Sequence, residues 1–294
     1  MTSARRHRRF IAKKKSSRRP FLIFFFIIAC LLALITFFKL NIKYWNGKEK
    51  VSIAISKPGG DVKVVLLDPT ISEKIELTIP PNTEVEVAKN LGTFPIKNIV
   101  KLGDNEGVGG KLLPETITKS FLFPIVLWSD TEPDDIKILT TKNSNISFSD
   151  RVLIYFFTKT VKNLDITKID MGRSQFLIKA KLTDGTLGYK LPDKISPRLL
   201  FYFAEQTFSG VKVYVKDATG KYGIGERVGE IVEVLGGKVV SLEKLTENQK
   251  DCSVTGTNTK AVIKVAQVFS CSVTNETTDY DLLIELGGGF AKRF

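Results

Sequence analysis

Residues 211–242 read VKVYVKDATGKYGIGERVGEIVEVLGGKVVSL, and this stretch decides the fold class. Val211 to Val215 has the composition and spacing of a strand, Tyr222 to Leu235 reads as a helix, and Lys238 to Leu242 reads as a second strand. Strand, helix, strand is the unit of an α/β layer. The same grammar continues downstream. Cys252 to Thr255 is a strand, Thr259 to Phe269 a helix, and Cys271 to Thr274 with Asp281 to Leu286 are closing strands. The order βαββαββ over residues 211–294 predicts a small sheet covered by two helices, of a size that folds as a domain.

Glycines 220, 223, 225 and 229 fall between the first strand and its helix, where backbone N–H groups can cradle an anion. Gly220, Gly223 and Gly225 are therefore the ligand-binding candidates. A dinucleotide fingerprint is excluded, because the position that should close the Gly223-x-Gly225 pattern holds Val228. Tight turning and close helix packing are the competing explanation for these glycines.

Upstream, residues 186–210 carry turn chemistry and a short helix, RLLFYFAEQ, and read as a linker. Residues 51–185 read as an α/β or α+β domain. Its strands are Val51–Ser56, Asp61–Leu67, Lys74–Ile79, Thr83–Val87 and Phe176–Leu182, with a turn at Pro58-Gly59-Gly60. One helix runs through Lys111 to Ser120, starting near Pro114. A second runs from Asp150 to Val161 with Ser149 as its N-cap.

The N-terminal part is of a different kind. Phe21 to Phe38 (FLIFFFIIACLLALITFF) is an apolar run of 18 residues broken only by Thr36. Extended by Leu40 and Ile42, it predicts one transmembrane helix over residues 21–42. Residues 1–20 hold nine basic side chains and no acid, so of the net charge of +13 only +4 remains for the rest of the chain. Such a cluster beside a span keeps the N-terminus cytoplasmic. The expected location is the cell membrane, single-pass, with residues from about 45 onward extracytoplasmic. Residues 43–50 form a juxtamembrane connector, with Tyr44 and Trp45 suited to the interface. Ile27 to Cys30 also fits the pattern before a lipid-modified cysteine, but the apolar run continues past Cys30, which favours an uncleaved anchor. The thin positive charge beyond the tail excludes a nucleic-acid groove.

On the outer side Cys252 and Cys271 are candidates for a disulfide, the alternative being two separate buried thiols. The only histidine is His7, in the tail, which excludes outer-side chemistry built on histidine, whether a catalytic triad or a zinc site. The densest acidic patch, Ser129 to Asp135, matches no calcium-loop spacing and reads as a solvated loop, so no metal site is expected.

In two places the outer region resembles the LytR-CpsA-Psr (LCP) family of cell-envelope proteins. The first is C-terminal: strand VKVYV, Asp217-Ala218-Thr219-Gly220, Gly225-x-x-Val228 opening a helix, LGGKVVSLE, and Tyr280 to Ala291 (YDLLIELGGGFA) resemble that family's C-terminal domain. The second covers residues 61–125 and resembles the front of the family's catalytic domain. Val64 to Pro69 matches a strand ending in Asp-Pro, Leu77 to Thr83 a Ser-Ile-Pro-Arg-Asp-Thr phrase, and Gly109 to Pro124 a helix closing in Ile-Pro. The resemblance implies transfer of a phosphoglycan from a polyprenyl-pyrophosphate carrier to peptidoglycan, with arginines on the pyrophosphate and acids on Mg²⁺. In this chain the arginine position holds Pro81 and the aspartate position Asn82. Neither supplies the charge such a site needs. Residues 51–200 contain only Arg151, Arg173 and Arg198, of which Arg151 and Arg173 are the catalytic candidates if a transferase survives.

The resulting expectation is a single transmembrane helix followed by a degenerate LCP-like α/β domain and a small βαββαββ domain. The expected role is non-catalytic binding or assembly of cell-wall glycan, with the membrane and a wall glycan or lipid-linked wall precursor as partners and no cofactor. Two alternatives stand beside it. One is an active, Mg²⁺-dependent phosphoglycan transferase; the other is a division-type membrane scaffold.

Overall fold

A computed structural model describes residues 43–56, 60–275 and 278–294, together with Ile23, Phe24, Phe26, Ile28, Ala29, Leu32 and Thr36, which are helical. The basic tail, Cys30 and most of the apolar run lie outside the described residues. Among those described, no helix is long and apolar enough to cross a membrane. The chain divides into two units, Met1–Ile42 and Lys43–Phe294, and the second carries the fold discussed below.

In chain order that unit contains strands β1 (Val51–Ser56), β2 (Val62–Asp68), β3 (Glu73–Ile79), β4 (Thr83–Glu86) and β5 (Thr93–Pro95), then helices α1 (Ile99–Asn105) and α2 (Leu112–Phe121). Next come β6 (Leu127–Ser129), α3 (Phe148–Thr160), β7 (Ile166–Asp170), β8 (Ile178–Lys181), β9 (Leu187–Lys190) and α4 (Pro197–Phe201). The last part runs β10 (Lys212–Ala218), α5 (Ile224–Val234), β11 (Lys238–Lys244), β12 (Cys252–Thr255), α6 (Thr259–Phe269), β13 (Ser272–Val273), β14 (Leu282–Gly287) and α7 (Gly288–Arg293).

The first sheet has the order β6-β1-β2-β3-β7. β1, β2 and β3 form an antiparallel meander, with Ile53 opposite Val65 and Val64 opposite Leu77. Each edge strand adds in parallel, β6 on β1 and β7 on β3. Both faces are covered, which is why β1 and β2 read as apolar runs and not as alternating strands. On one face Val62, Val64, Leu66, Ile75 and Leu77 meet Leu112, Leu113 and Ile117 of α2. On the other, Val51, Ile53, Ile55, Val65 and Leu67 meet Ile154 of α3, Ile138, Ile146 and Trp45.

α3 starts two residues earlier than expected. Ser147, with extended backbone, is the N-cap and accepts the Asp150 amide at 3.2 Å, whereas Ser149 lies inside the helix with its hydroxyl buried and without a partner among the described residues. The Asp150 carboxylate, fully buried, accepts the backbone N–H groups of Lys43, Tyr44 and Trp45 at 3.2–3.4 Å. It thereby fixes the start of the unit to α3. The acidic patch is not a solvated loop. Glu132 pairs with Lys63 at 2.8 Å and Asp134 with the buried Lys74 at 3.3 Å, while Asp135 caps the 3₁₀ turn Ile136–Leu139.

A second, four-stranded sheet, β5-β4-β9-β8, flanks the first. The strand expected over Phe176–Leu182 shortens to β8 at its edge, because the turn Leu182–Thr186 takes the strand's end. The third sheet has the order β11-β10-β14-β12-β13 and realises the βαββαββ pattern, with β10 parallel to both neighbours. One further helix, α7, closes it: its N-cap Gly287 and its first residues Gly288 and Gly289 pass against the Asn248–Asp251 segment with no room for a Cβ. The apolar core continues from the first sheet through Ile195, Leu199, Phe203 and Phe208 into Val213, Val228, Val265 and Phe290. Residues 51–185 and 211–294 thus share one core, with Phe123 stacked on Phe203 at 4.5 Å.

Candidate functional site

The phrase Thr78 to Thr83 leaves β3 and turns into β4. Thr83 closes the turn by donating its N–H and hydroxyl to the Pro80 carbonyl at 3.1 and 2.7 Å. Asn82 accepts Lys97 Nζ on its side-chain oxygen at 2.6 Å and the Tyr189 amide on its carbonyl at 3.0 Å. Where the resemblance would place an arginine and a carboxylate, the chain has a proline and an amide already held by an ammonium. Asp68, of the Asp-Pro pair, is buried and paired with Lys50 at 3.2 Å.

Arg151 and Arg173 do not converge. Arg151 donates to the carbonyls of Ile146, at 2.7 Å, and Thr141, beside edge strand β6. Arg173 follows the opposite edge strand β7, 90% exposed, with Asp170 at 3.3 Å. Four strand spacings put the two edges roughly 19 Å apart. Among the described residues no three acidic, histidine or cysteine side chains gather to hold a metal ion.

The glycine loop is folded around an anion of its own. Asp217, 4% exposed at the end of β10, accepts the Thr219 N–H at 3.0 Å, the Thr219 hydroxyl, and the Gly225 N–H at 3.2 Å. The carboxylate thus sits at the N-terminus of α5, where backbone dipoles favour a negative charge. A Cβ at Gly225 would lie 2.8 Å from Asp217 Oδ2, and Gly220 and Gly223 have φ of +69° and +84°. Turning and close packing are what these three glycines provide.

The other face of that loop borders open space. Lys221, Tyr222 and Gly223 form one wall of a cleft of about 580 Å³. The facing wall comes from β4, β9 and the end of α2: Glu84, Glu86, Lys190 and Lys119. Lys119 pairs with Glu86 at 2.8 Å and Lys190 with Glu84 at 3.4 Å. Hydrogen bonds from Thr183 hold the Glu84 carboxyl below its ordinary range, with Lys190 adding to the effect against burial. Arg227 bridges the walls, donating to the Lys119 and Ser120 carbonyls at 2.9 and 3.1 Å. Lys221 Nζ donates to the Ala291 carbonyl at 3.1 Å, so its charge meets a neutral acceptor.

Past Asp193, Ile195 and Arg227, which line both spaces, the cleft opens into an apolar groove of about 490 Å³. Leu122, Pro197, Leu200, Phe201, Ala204 and Val234 give it its apolar surface, Lys194, Glu230 and Glu233 also line it, and Phe201 is 77% exposed. Of these residues the sequence reading located only the loop Gly220–Gly225. Lys119, Lys190 and Arg227 come from distant segments and carry no local signature.

No family model and no curated protein sequence matches the chain. Among solved structures, it is similar to one described as the transcriptional regulator yvhJ from Bacillus subtilis, at 15% identity and TM-score 0.35, over 50% of this chain and 91% of that one. It is also similar to B. subtilis TagT, at 11% identity and TM-score 0.31, over 51% and 87% of the two chains. A third is described as the LytR-CPS2A-psr family protein YwtF (TagT) with bound octaprenyl pyrophosphate lipid, at 9% identity and TM-score 0.22, over 78% and 94%.

Proposed function

We propose that this is a membrane-anchored, extracytoplasmic cell-envelope protein of LCP type that holds a lipid-linked wall glycan without transferring it. The observation that carries the reading is the groove opening directly onto a cleft that Lys119, Lys190, Lys221 and Arg227 line together with Glu84, Glu86 and Asp193; Lys119, Lys190 and Arg227 pair with Glu86, Glu84 and Glu230, while Lys221 meets a carbonyl. An amphiphile with an anionic head matches that pairing: its chain buries apolar surface while the cations and neighbouring hydrogen-bond groups meet the head. The apolar run 21–38 and the basic tail support the anchor and its orientation. Support for a non-catalytic role comes from Pro81, from Asn82 held by Lys97, and from the separation of Arg151 and Arg173.

The test uses the full chain in nanodiscs with octaprenyl pyrophosphate as the probe. Saturable binding is expected, weakened about tenfold, or about 1.4 kcal/mol, by Lys221→Glu or Phe201→Asp. Arg151→Ala and Arg173→Ala should leave it unchanged. Absence of binding, with co-purification of other membrane proteins instead, would favour the scaffold reading. Glycan transfer that disappears on Arg151→Ala or Arg173→Ala would replace the non-catalytic reading with a transferase.

A further inference from the structure

Behind the groove the chain passes Ala204-Glu205-Gln206, and Ala204 borders both the groove and a polar cavity of about 320 Å³. Glu205 lies in the wall of that cavity and is 8% exposed. Its Oε1 sits 2.8 Å from Lys264 Nζ of α6, whereas Oε2 is buried with no hydrogen-bond partner among the described residues. The backbone is fixed as well. The Glu205 N–H donates to the Leu235 carbonyl at the end of α5, at 2.8 Å, and its carbonyl accepts the Phe208 N–H at 3.1 Å. This one residue therefore joins the linker to both helices of the third sheet.

The charges facing it come from three elements. α6 brings Lys264 and Lys260, the segment before β1 brings Lys48, Glu49 and Lys50, and the end of β2 brings Asp68. Most are engaged with one another. Lys50 pairs with Asp68 at 3.2 Å and donates to the Tyr202 carbonyl at 3.0 Å, Lys260 pairs with Glu49 at 3.4 Å, and Lys264 also donates to the Lys50 carbonyl at 3.2 Å. Lys264 alone makes direct contact with the Glu205 carboxylate, Lys50 adds a weaker attraction from a distance, and one carboxylate oxygen stays without a hydrogen-bond partner among the described residues. A buried carboxylate in that position costs free energy that protonation lessens, since a neutral group is cheaper to desolvate than a charged one.

We propose that Glu205 is a proton-operated latch: with its carboxyl neutral, the linker packs tightly between groove and cavity, and ionisation loosens this seam and the groove wall in front of it. The latch is a property of the seam itself; only its consequence for a ligand rests on the function proposed above. Burial lifts the carboxyl above its ordinary range, with Lys264 opposing and Glu49 assisting. For an acid raised in this way, the stabilising contribution is complete below the ordinary value and is lost as pH rises through the folded-state value. The seam is thus tighter in mild acid than at neutral pH.

The test is hydrogen–deuterium exchange on the full chain in nanodiscs between pH 5 and 8, corrected for intrinsic exchange, reading residues 200–209 and α6. Protection should fall with rising pH between the ordinary carboxyl value and the folded-state midpoint, by at most about tenfold per unit for a single proton, and level off above that midpoint. Glu205→Gln should keep the acid-state protection throughout, and Lys264→Met should move the midpoint upward. A flat wild-type profile overturns the latch, as does a Glu205→Gln protein that is loose at every pH, which is what a merely structural pair predicts. Octaprenyl pyrophosphate binding is recorded alongside. A pH-dependent seam that binds no probe would refute the proposed function and leave the latch standing, whereas tight probe binding with a flat profile does the reverse.

Discussion

Asp150 and Asp217 solve the same problem in different parts of the unit. Each is a buried carboxylate at a helix N-terminus whose charge is met by backbone N–H groups and a neighbouring hydroxyl. Asp150→Ala leaves the amides of Lys43, Tyr44 and Trp45 without their acceptor and should destabilise the unit by about 2 kcal/mol in urea unfolding followed by tryptophan fluorescence. Asp130 and Asp134 are both held below the ordinary carboxyl value: burial works to raise each, but hydrogen bonds from Thr141 and Thr131 outweigh it at Asp130, and Lys74 does so at Asp134. Their contribution is present above the ordinary carboxyl value near pH 4 and is lost as pH falls through the lower folded values. Unfolding monitored from pH 5 down to 2 should therefore show a loss of stability that Asp134→Asn reduces, opposite in sign to the effect at Glu205.

At the scale of elements, β10, α5 and the Cys252–Cys271 disulfide offer two direct tests. Gly225→Ala drives a Cβ against Asp217 and should cost about 1–3 kcal/mol, whereas the same change at the looser Gly229, with Val239 at 3.3 Å, should cost less. The disulfide links the start of β12 to Cys271, immediately before β13, across 19 positions. Its removal by Cys252→Ala with Cys271→Ala should cost about 3 kcal/mol, read as a lower urea midpoint. The third sheet was legible in the sequence because its strands and helices alternate locally: β12 and α6 fall on the expected residues. β6 and β7 were not, since each is short and pairs in parallel with a strand more than 70 residues away, which no local periodicity records. The candidate site was legible in the same uneven way. The glycine loop stood out, but Asp217 fills its cradle from within, and the cleft behind it draws its cations from segments that meet only in three dimensions.

Across the whole molecule, the core continuing from Leu112 through Phe203 to Phe290 joins what the sequence suggested were two domains. Thermal unfolding should show a single transition for residues 43–294, with calorimetric and van't Hoff enthalpies in agreement. Phe203→Ala, at the join, should lower stability by about 3–5 kcal/mol and not split that transition. The order of the third sheet also dictates when folding can finish. β14, among the last residues of the sequence, inserts between β10 and β12. Until it is available, β10 with β11 and β12 with β13 are half-sheets with exposed edges, although the disulfide can already close within the second. A chain emerging N-terminus first therefore carries two unpaired strand edges until β14 arrives, and that interval is when a chaperone or a mispairing partner has its opportunity.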